Sequence, residues 1–267
     1  MGATTEGIRP KIGFVGFGSM ASAMADGLIR SGRVDPGRMH ACAGRYERLK
    51  ARTDARGMNA CRDAAELVDS VDVAIVALTP NMIERVLAPL AAALSGKVVL
   101  SIAAGWDFEA YECVLPGTHH LSTIPNTPVS ICEGVVVAER RHSLTPEEHD
   151  LAFELLGLLG IVEEVDSSQL SAAGTVAGCS PAFIAMAMEA LADAAVKHGV
   201  PRPAARRLVG QMTAGTAKLQ LETGDVPAVM KDAVCSPGGT TIRGVAALEA
   251  CGMRAAFMRA VDAAEGE

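Results

Sequence analysis

Short apolar runs alternate with longer amphipathic stretches over the first part of the chain. Ile12–Val15, Met39–Ala43, Val73–Ala77, Val98–Ile102, Leu121–Ile124, Gly134–Ala138 and Ile161–Val165 each read as a buried strand, because continuous apolar runs bounded by turn residues suit a sheet covered on both faces. Helical patterns lie between them: an Ala/Met/Leu stretch up to Gly32, another from Met82 to about Leu94, and a third ending near Gly160. The third opens on Thr145-Pro146-Glu147-Glu148, with Thr as N-cap, Pro in the first helical position and Glu in the third. From Asp166 the strands stop and helix follows helix. One long helix is expected from Ser180-Pro181 through Gly199, one from Pro203 to about Gly224, and one over Ile242–Glu249. The pattern predicts an α/β fold: an N-terminal Rossmann-type dinucleotide-binding domain over residues 1–165, followed by an all-α C-terminal domain over 166–267.

The first strand runs straight into Gly16-Phe17-Gly18-Ser19-Met20-Ala21 and then a helix, which is the order a dinucleotide site requires. Gly16 makes the turn, Gly18 admits the pyrophosphate, and Ala21 in the third place still permits close helix–strand packing. Ser19, Met20 and Ala21 open the helix whose N-terminus faces the phosphates. The second strand ends in Gly44-Arg45, with Arg48 one turn on, where an NAD-preferring site would place Asp or Glu. Arginine suits a 2′-phosphate, so NADPH is the expected cofactor, with NADH possible; the bland alternative leaves both arginines in solvent. Leu78-Thr79-Pro80 and Ala103-Ala104 follow later strands, at the sheet edge that faces the cofactor. Asn126, in the rigid Pro125-Asn126-Thr127-Pro128 turn, reads either as a ligand contact or as a turn residue.

A second constellation lies far along the chain. Cys235-Ser236-Pro237-Gly238-Gly239-Thr240-Thr241 is a tight turn running into a helix, with hydroxyls around it. Glycine N–H groups and a helix N-terminus can hold a small carboxylate without Arg or Lys; the bland reading is a capped helix start.

Hydrophobic residues make up 49% of the 267 and aromatics only 3%, so the core must be Ala, Val, Leu, Ile and Met, and the methionines read as core filler. The formal net charge of −7 argues against a general nucleic-acid binder. Seven dispersed cysteines without a Cys-x-x-Cys, and His119-His120 without partners at ligand spacing, point to reduced thiols in a cytoplasmic protein and away from a metal site. Residues 1–10 lack the apolar segment of a leader, and each apolar run is interrupted by charge or proline before it reaches membrane-span length. The helix after Ser180 is apolar nearly all round, which calls for burial against a second copy of the chain. Glu189 and Asp193 share one face of it and read as structural or solvated rather than as an acid/base pair.

With these residues assembled, the chain resembles the pyrroline-5-carboxylate reductase family over nearly its whole length. The carrying segments are Ile12–Ala21, Ser101–Gly105, Pro125–Pro128, Glu189–Asp193 and above all Ser236-Pro237-Gly238-Gly239-Thr240-Thr241. The resemblance implies NAD(P)H-dependent reduction of a cyclic imino acid to proline. It also implies a helical C-terminal domain that interlocks into homodimers, often built into decamers, and that carries the substrate. Ser236 and the N–H groups around Gly238, Gly239, Thr240 and Thr241 would hold the substrate carboxylate, and Thr241 would bond the ring nitrogen. Chemistry agrees: hydride addition to C=N leaves a nitrogen that must gain a proton, and needs a held substrate but no metal or covalent nucleophile. Thr241 is a poor acid, suited to positioning an iminium or relaying a proton from water.

The departures cluster around the expected site. The family's Val-Lys-Pro is Leu78-Thr79-Pro80, its Arg-x-Met-Pro-Asn-Thr-Pro is Ser122–Pro128, its Ser-Gly-Ser-Gly-Pro-Ala is Ala177-Gly178-Cys179-Ser180-Pro181-Ala182, and its Asp-Asn/Gln-Val is Asp232-Ala233-Val234. Alternative readings are a paralogue reducing another cyclic imine, a non-catalytic NADP-binding protein, and a 3-hydroxyacid dehydrogenase. The last would need a helical lysine as acid, for which Lys197 and Lys218 are the candidates.

Overall fold

The computed structural model describes residues 7–266, so the first six residues of the 1–10 segment, expected to be no leader, lie outside the described part. β1 (Ile12–Val15), β2 (Met39–Cys42), β3 (Asn59–Cys61), β4 (Val73–Val76), β5 (Val98–Ser101), β6 (His119–Pro125), β7 (Gly134–Glu139) and β8 (Gly160–Val165) form one sheet in the order β3-β2-β1-β4-β5-β6-β7-β8. All neighbours run parallel except β6 and β7. The order reverses between β1 and β4, and the crevice beyond their C-terminal ends is where an open α/β sheet takes its ligand.

Successive residues of these strands face opposite layers. Ile12, Phe14, Met39, Ile75 and Leu100 meet Met24 and Leu28 of α1 (Ser19–Arg30) and Leu155 and Leu156 of α7 (Pro146–Gly157). Val15, Cys42, Ala74, Val76 and Val99 face the other layer, with Leu67 and Val68 of α3 (Ala64–Ser70), Ile83 and Leu87 of α4 (Pro80–Leu87) and Tyr111 of α6 (Phe108–Val114). α7 carries the expected capping box between Thr145 and Glu148.

Between β2 and β3 the chain forms α2 (Tyr46–Asp54), which hydropathy did not announce. The helix expected over Met82–Leu94 is instead α4, a 3-10 turn at Ala88–Leu90 and the short α5 (Ala91–Leu94), because Pro89 has no N–H to continue the ladder.

α8 (Leu170–Lys197) is followed by α9 (Arg202–Thr223), α10 (Pro227–Ala233), α11 (Thr240–Ala250) and α12 (Met253–Glu265). The sheet ends at Val165, while the division into two compact units falls inside α8, one unit running to Cys179 and the other starting at Ser180. Two expectations for α8 are corrected. The helix begins at Leu170 and not at Ser180-Pro181, so Pro181 lies within it. Nor do prolines and charges keep every apolar stretch short of membrane-span length. Ser167–Lys197 has the length and composition of a span, with mean hydropathy 1.4 in its most apolar window, 17% of which is buried. Pro181 fails to interrupt it, and Glu189 and Asp193 fall towards its C-terminal end.

Within the second unit a small core of Ala192, Ala205 and Val209 joins α8 to α9. Asp193 forms an ion pair with Arg202, the structural role expected of it. Much apolar surface stays uncovered in the single chain: Met186 is 71% exposed and Leu208 62%, and Ile184, Leu191 and Met212 are exposed as well.

Candidate active site

The residues expected at the cofactor gather along one edge of the sheet. Gly16 and Gly18 follow β1, Arg45 follows β2, Leu78, Thr79 and Pro80 follow β4, Ala103 and Ala104 follow β5, and Asn126 follows β6. Gly16 has φ +93, and a Cβ there would lie 2.4 Å from the Ala77 carbonyl oxygen, so only glycine lets β1 turn this close to β4. The same construction at Gly18 meets nothing within 4 Å, which leaves room above the loop for a bound group. No side chain among the described residues caps α1, which leaves the N–H groups of Ser19, Met20 and Ala21 at its start open to an anion.

Beside the loop is a cavity of about 530 Å³ lined by Gly18, Ser19, Gly44, Arg45, Arg48 and Arg52, among others. Arg45 and Arg48 are exposed, and their side chains form no hydrogen bond or ion pair among the described residues. Two uncommitted guanidinium groups next to the glycine-rich loop have the charge and geometry to hold a phosphate. Arg52 was not among the expected residues. It donates to the carbonyl oxygens of Phe17 (2.7 Å) and Gly18 (3.5 Å) and to the Ser22 hydroxyl.

Towards the C-terminal ends of β5 and β6 a hydroxyl network anchors the edge. Tyr111 donates to Ser101 Oγ (2.7 Å), that oxygen accepts from the Ala103 N–H (3.2 Å), and Thr123 donates to the Ser101 carbonyl (2.6 Å). Burial pushes the Tyr111 phenol up to about 12, so it stays a neutral donor. A second cavity of about 340 Å³ lies here, its wall including Ala104, Trp106, Ile124, Gly178 and Cys179.

Asn126 is buried and its carboxamide is committed to backbone: Oδ1 accepts from the Val135 N–H (2.9 Å) and Nδ2 donates to the Ala177 carbonyl (3.1 Å). Ala177 is the residue whose carbonyl loses its helical partner because Pro181 has no N–H. Asn126 therefore lets α8 run through Pro181, which is the physical reason for the earlier helix start. Its side chain acts as a brace for this wall.

The second unit carries the other constellation. Pro237 and Gly238 (φ +68) stand at the centre of a turn closed by Gly239 N–H donating to the Ser236 carbonyl at 3.0 Å. That is the arrangement of a type II turn, with Pro second and a positive-φ glycine third. A Cβ on Gly239 would lie 2.4 Å from Ser236 Oγ, so the turn folds tightly over its own serine. Gly239 is the N-cap of α11 and no side chain caps it, leaving the N–H groups of Thr240 and Thr241 open beside the exposed hydroxyls of Ser236, Thr240 and Thr241.

Comparison with known proteins gives a consistent picture. Residues 167–267 match the family model described as pyrroline-5-carboxylate reductase dimerisation, and residues 11–105 match that described as NADP oxidoreductase coenzyme F420-dependent. A pyrroline-5-carboxylate reductase of Treponema pallidum is 43% identical over 258 residues, covering 95% of this chain and 98% of its own length. One from Methanosarcina acetivorans is 38% identical, covering 94% of each. The crystal structure of Plasmodium falciparum pyrroline carboxylate reductase with NADP bound superposes with a TM-score of 0.86 at 25% identity, covering 97% of this chain and 96% of that one.

Proposed function

Since the chain belongs to the pyrroline-5-carboxylate reductase family, we propose that it reduces 1-pyrroline-5-carboxylate to L-proline with NADPH, a step of proline biosynthesis. The observation that carries this reading is the intact Ser236–Thr241 turn at the uncapped start of α11, a carboxylate cradle that a protein merely binding a dinucleotide would not need. Residues 1–165 serve the cofactor, and 166–267 serve substrate and dimerisation.

NADPH supplies the hydride that adds to the imine carbon. Gly16 and Gly18 admit the pyrophosphate, Ser19, Met20 and Ala21 offer it their N–H groups, and Arg45 holds the 2′-phosphate. Leu78, Thr79, Pro80, Ala103 and Ala104 form the edge against which the dinucleotide lies. Ser236 and the backbone of Gly238, Gly239, Thr240 and Thr241 hold the substrate carboxylate. The Thr241 hydroxyl bonds the ring nitrogen, which gains its proton as the C=N bond becomes CH–NH, with water as the proton source.

The exposed apolar helices of the second unit support a homodimer, whose second chain rather than lipid covers α8, with assembly into a decamer and a cytoplasmic location as further parts of the reading. The test is oxidation of NADPH, and separately of NADH, by purified protein given pyrroline-5-carboxylate, with proline quantified. Rapid proline formation is the expected result. Tight NADPH binding without turnover would refute this substrate and direct attention to other cyclic imines.

A further inference from the structure

We propose that Arg52 is a positioning residue for the dinucleotide phosphates, acting through carbonyl oxygens of the glycine-rich loop rather than by touching the ligand. The inference rests on the reading of that loop as the NADPH site. Arg45, Arg48, Arg52 and Arg56 recur at helical spacing along α2 and just beyond it, yet they divide into two kinds. Arg45 and Arg48 are free. Arg56 pairs with Asp26 of α1 through two bonds of 2.7 and 3.0 Å. Arg52 has no carboxylate partner among the described residues and is turned instead onto the loop. It bonds Phe17 O, Gly18 O and Ser22 Oγ, while its guanidinium carbon stands 5.1 Å from the centre of the buried Phe17 ring. Ser22 Oγ in turn donates to Gly18 O at 2.8 Å.

Each peptide unit is a rigid trans plane, so holding its C=O also aims the N–H on the opposite side. Fixing Phe17 O aims the N–H of Gly18, and fixing Gly18 O aims the N–H of Ser19. These donors border the open space above Gly18. A loop with two glycines has many alternatives in solution, and a fork that grips two successive carbonyls removes them before the ligand arrives. Such a device serves both dinucleotides equally, because NADPH and NADH share the pyrophosphate and differ at the ribose phosphate beside Arg45 and Arg48.

The experiment is titration of NADPH and NADH into wild-type, Arg52→Met, Arg52→Lys and Arg56→Met proteins, each with a thermal melt. In Arg52→Met both affinities should fall roughly tenfold, the worth of one charge-assisted hydrogen bond, with the NADPH/NADH ratio unchanged. Arg52→Lys should lose nearly as much, because an ammonium cannot grip both carbonyls, and it carries the test where the methionine variant is unstable. Arg56→Met, which removes the Asp26 pair but leaves the loop carbonyls held, should bind both dinucleotides within about twofold of wild type. A selective loss of NADPH, full rescue by lysine, or an equal loss in Arg56→Met would each overturn the proposal. Wild-type binding with unchanged variants would overturn it alone. Failure of the wild type to bind either dinucleotide would overturn the cofactor reading with it.

Discussion

Replacing Gly16 with alanine sets a methyl carbon 2.4 Å from the Ala77 carbonyl oxygen and 2.9 Å from its carbonyl carbon. Both are backbone atoms at the end of β4, which pairs with β1 along its whole length, so neither can swing aside as a side-chain tip would. The φ of +93 adds a conformational cost of roughly 1–2 kcal/mol for an L-residue. Overpacking against fixed atoms adds about 1–3 kcal/mol. The sum, roughly 2–5 kcal/mol, is a large share of an ordinary domain's stability and corresponds to a fall in melting temperature of about 4–9 °C at this chain length. Relief is possible only if the loop backs away from β4, which moves the N–H groups of Gly18 and Ser19. NADPH affinity should therefore fall at least tenfold. Gly32→Ala is the control: φ is +68 there, but a Cβ meets nothing within 4 Å, so only the conformational cost applies. Thermal melts and fluorescence titrations of both variants decide the matter, and equal behaviour of the two would refute the steric argument.

Thr241→Ala should lower turnover by well over tenfold while leaving NADPH binding intact; unchanged turnover would remove this hydroxyl from the mechanism. Arg45→Ala should weaken NADPH about tenfold more than NADH, and equal effects on both would count against a 2′-phosphate contact. Leu191→Glu should give a monomer by light scattering and abolish turnover, since Leu191 is 49% exposed in one chain and only a second chain would bury it; an unchanged mass would exclude α8 from the interface. His120 is 1% exposed, with Nε2 bonded to Glu112 at 3.0 Å and Nδ1 without a hydrogen-bond partner among the described residues. Burial lowers its pKa from 6.5, against the opposing pull of Glu112. The unfolded chain thus takes up the proton first, so this stability is complete above about pH 6.5 and declines as pH falls below it. His40 and His142 are lowered chiefly by burial too and act in the same sense. His120→Gln should flatten the urea-measured loss between about pH 7 and pH 5, and identical slopes would refute the assignment.

Features that depend on neighbouring backbone were open to reading from the chain alone. A type II turn demands a positive-φ residue third and favours proline second, so Ser236-Pro237-Gly238-Gly239 has one reasonable shape wherever it stands. The loop from Gly16 to Ala21 is similarly constrained by the strand before it and the helix after it. Thr145 and Glu148 cap each other across a single turn of α7. β3, with only Asn59, Ala60 and Cys61, is too short to leave a periodic signal, and its existence depends on pairing with β2.

Pro181 marks the boundary of that kind of reading. By local rules a proline opens a helix or breaks one, and the apolar run after Ser180 gave every reason to start the helix there. What decides otherwise is the carboxamide of Asn126, which arrives from the β6 turn and takes up the one carbonyl that the proline strands. No window containing Pro181 also contains Asn126. The same holds for Arg52, whose place in a row of arginines was visible while its grip on the Phe17 and Gly18 carbonyls was not. In both cases a single polar side chain settles a backbone conformation far off in sequence. Asn126→Leu is accordingly the informative substitution for α8, because it keeps the branching of the side chain but strands the Ala177 carbonyl and the Val135 N–H, whereas a change at Pro181 itself would restore the missing N–H and leave Asn126 only its bond from Val135.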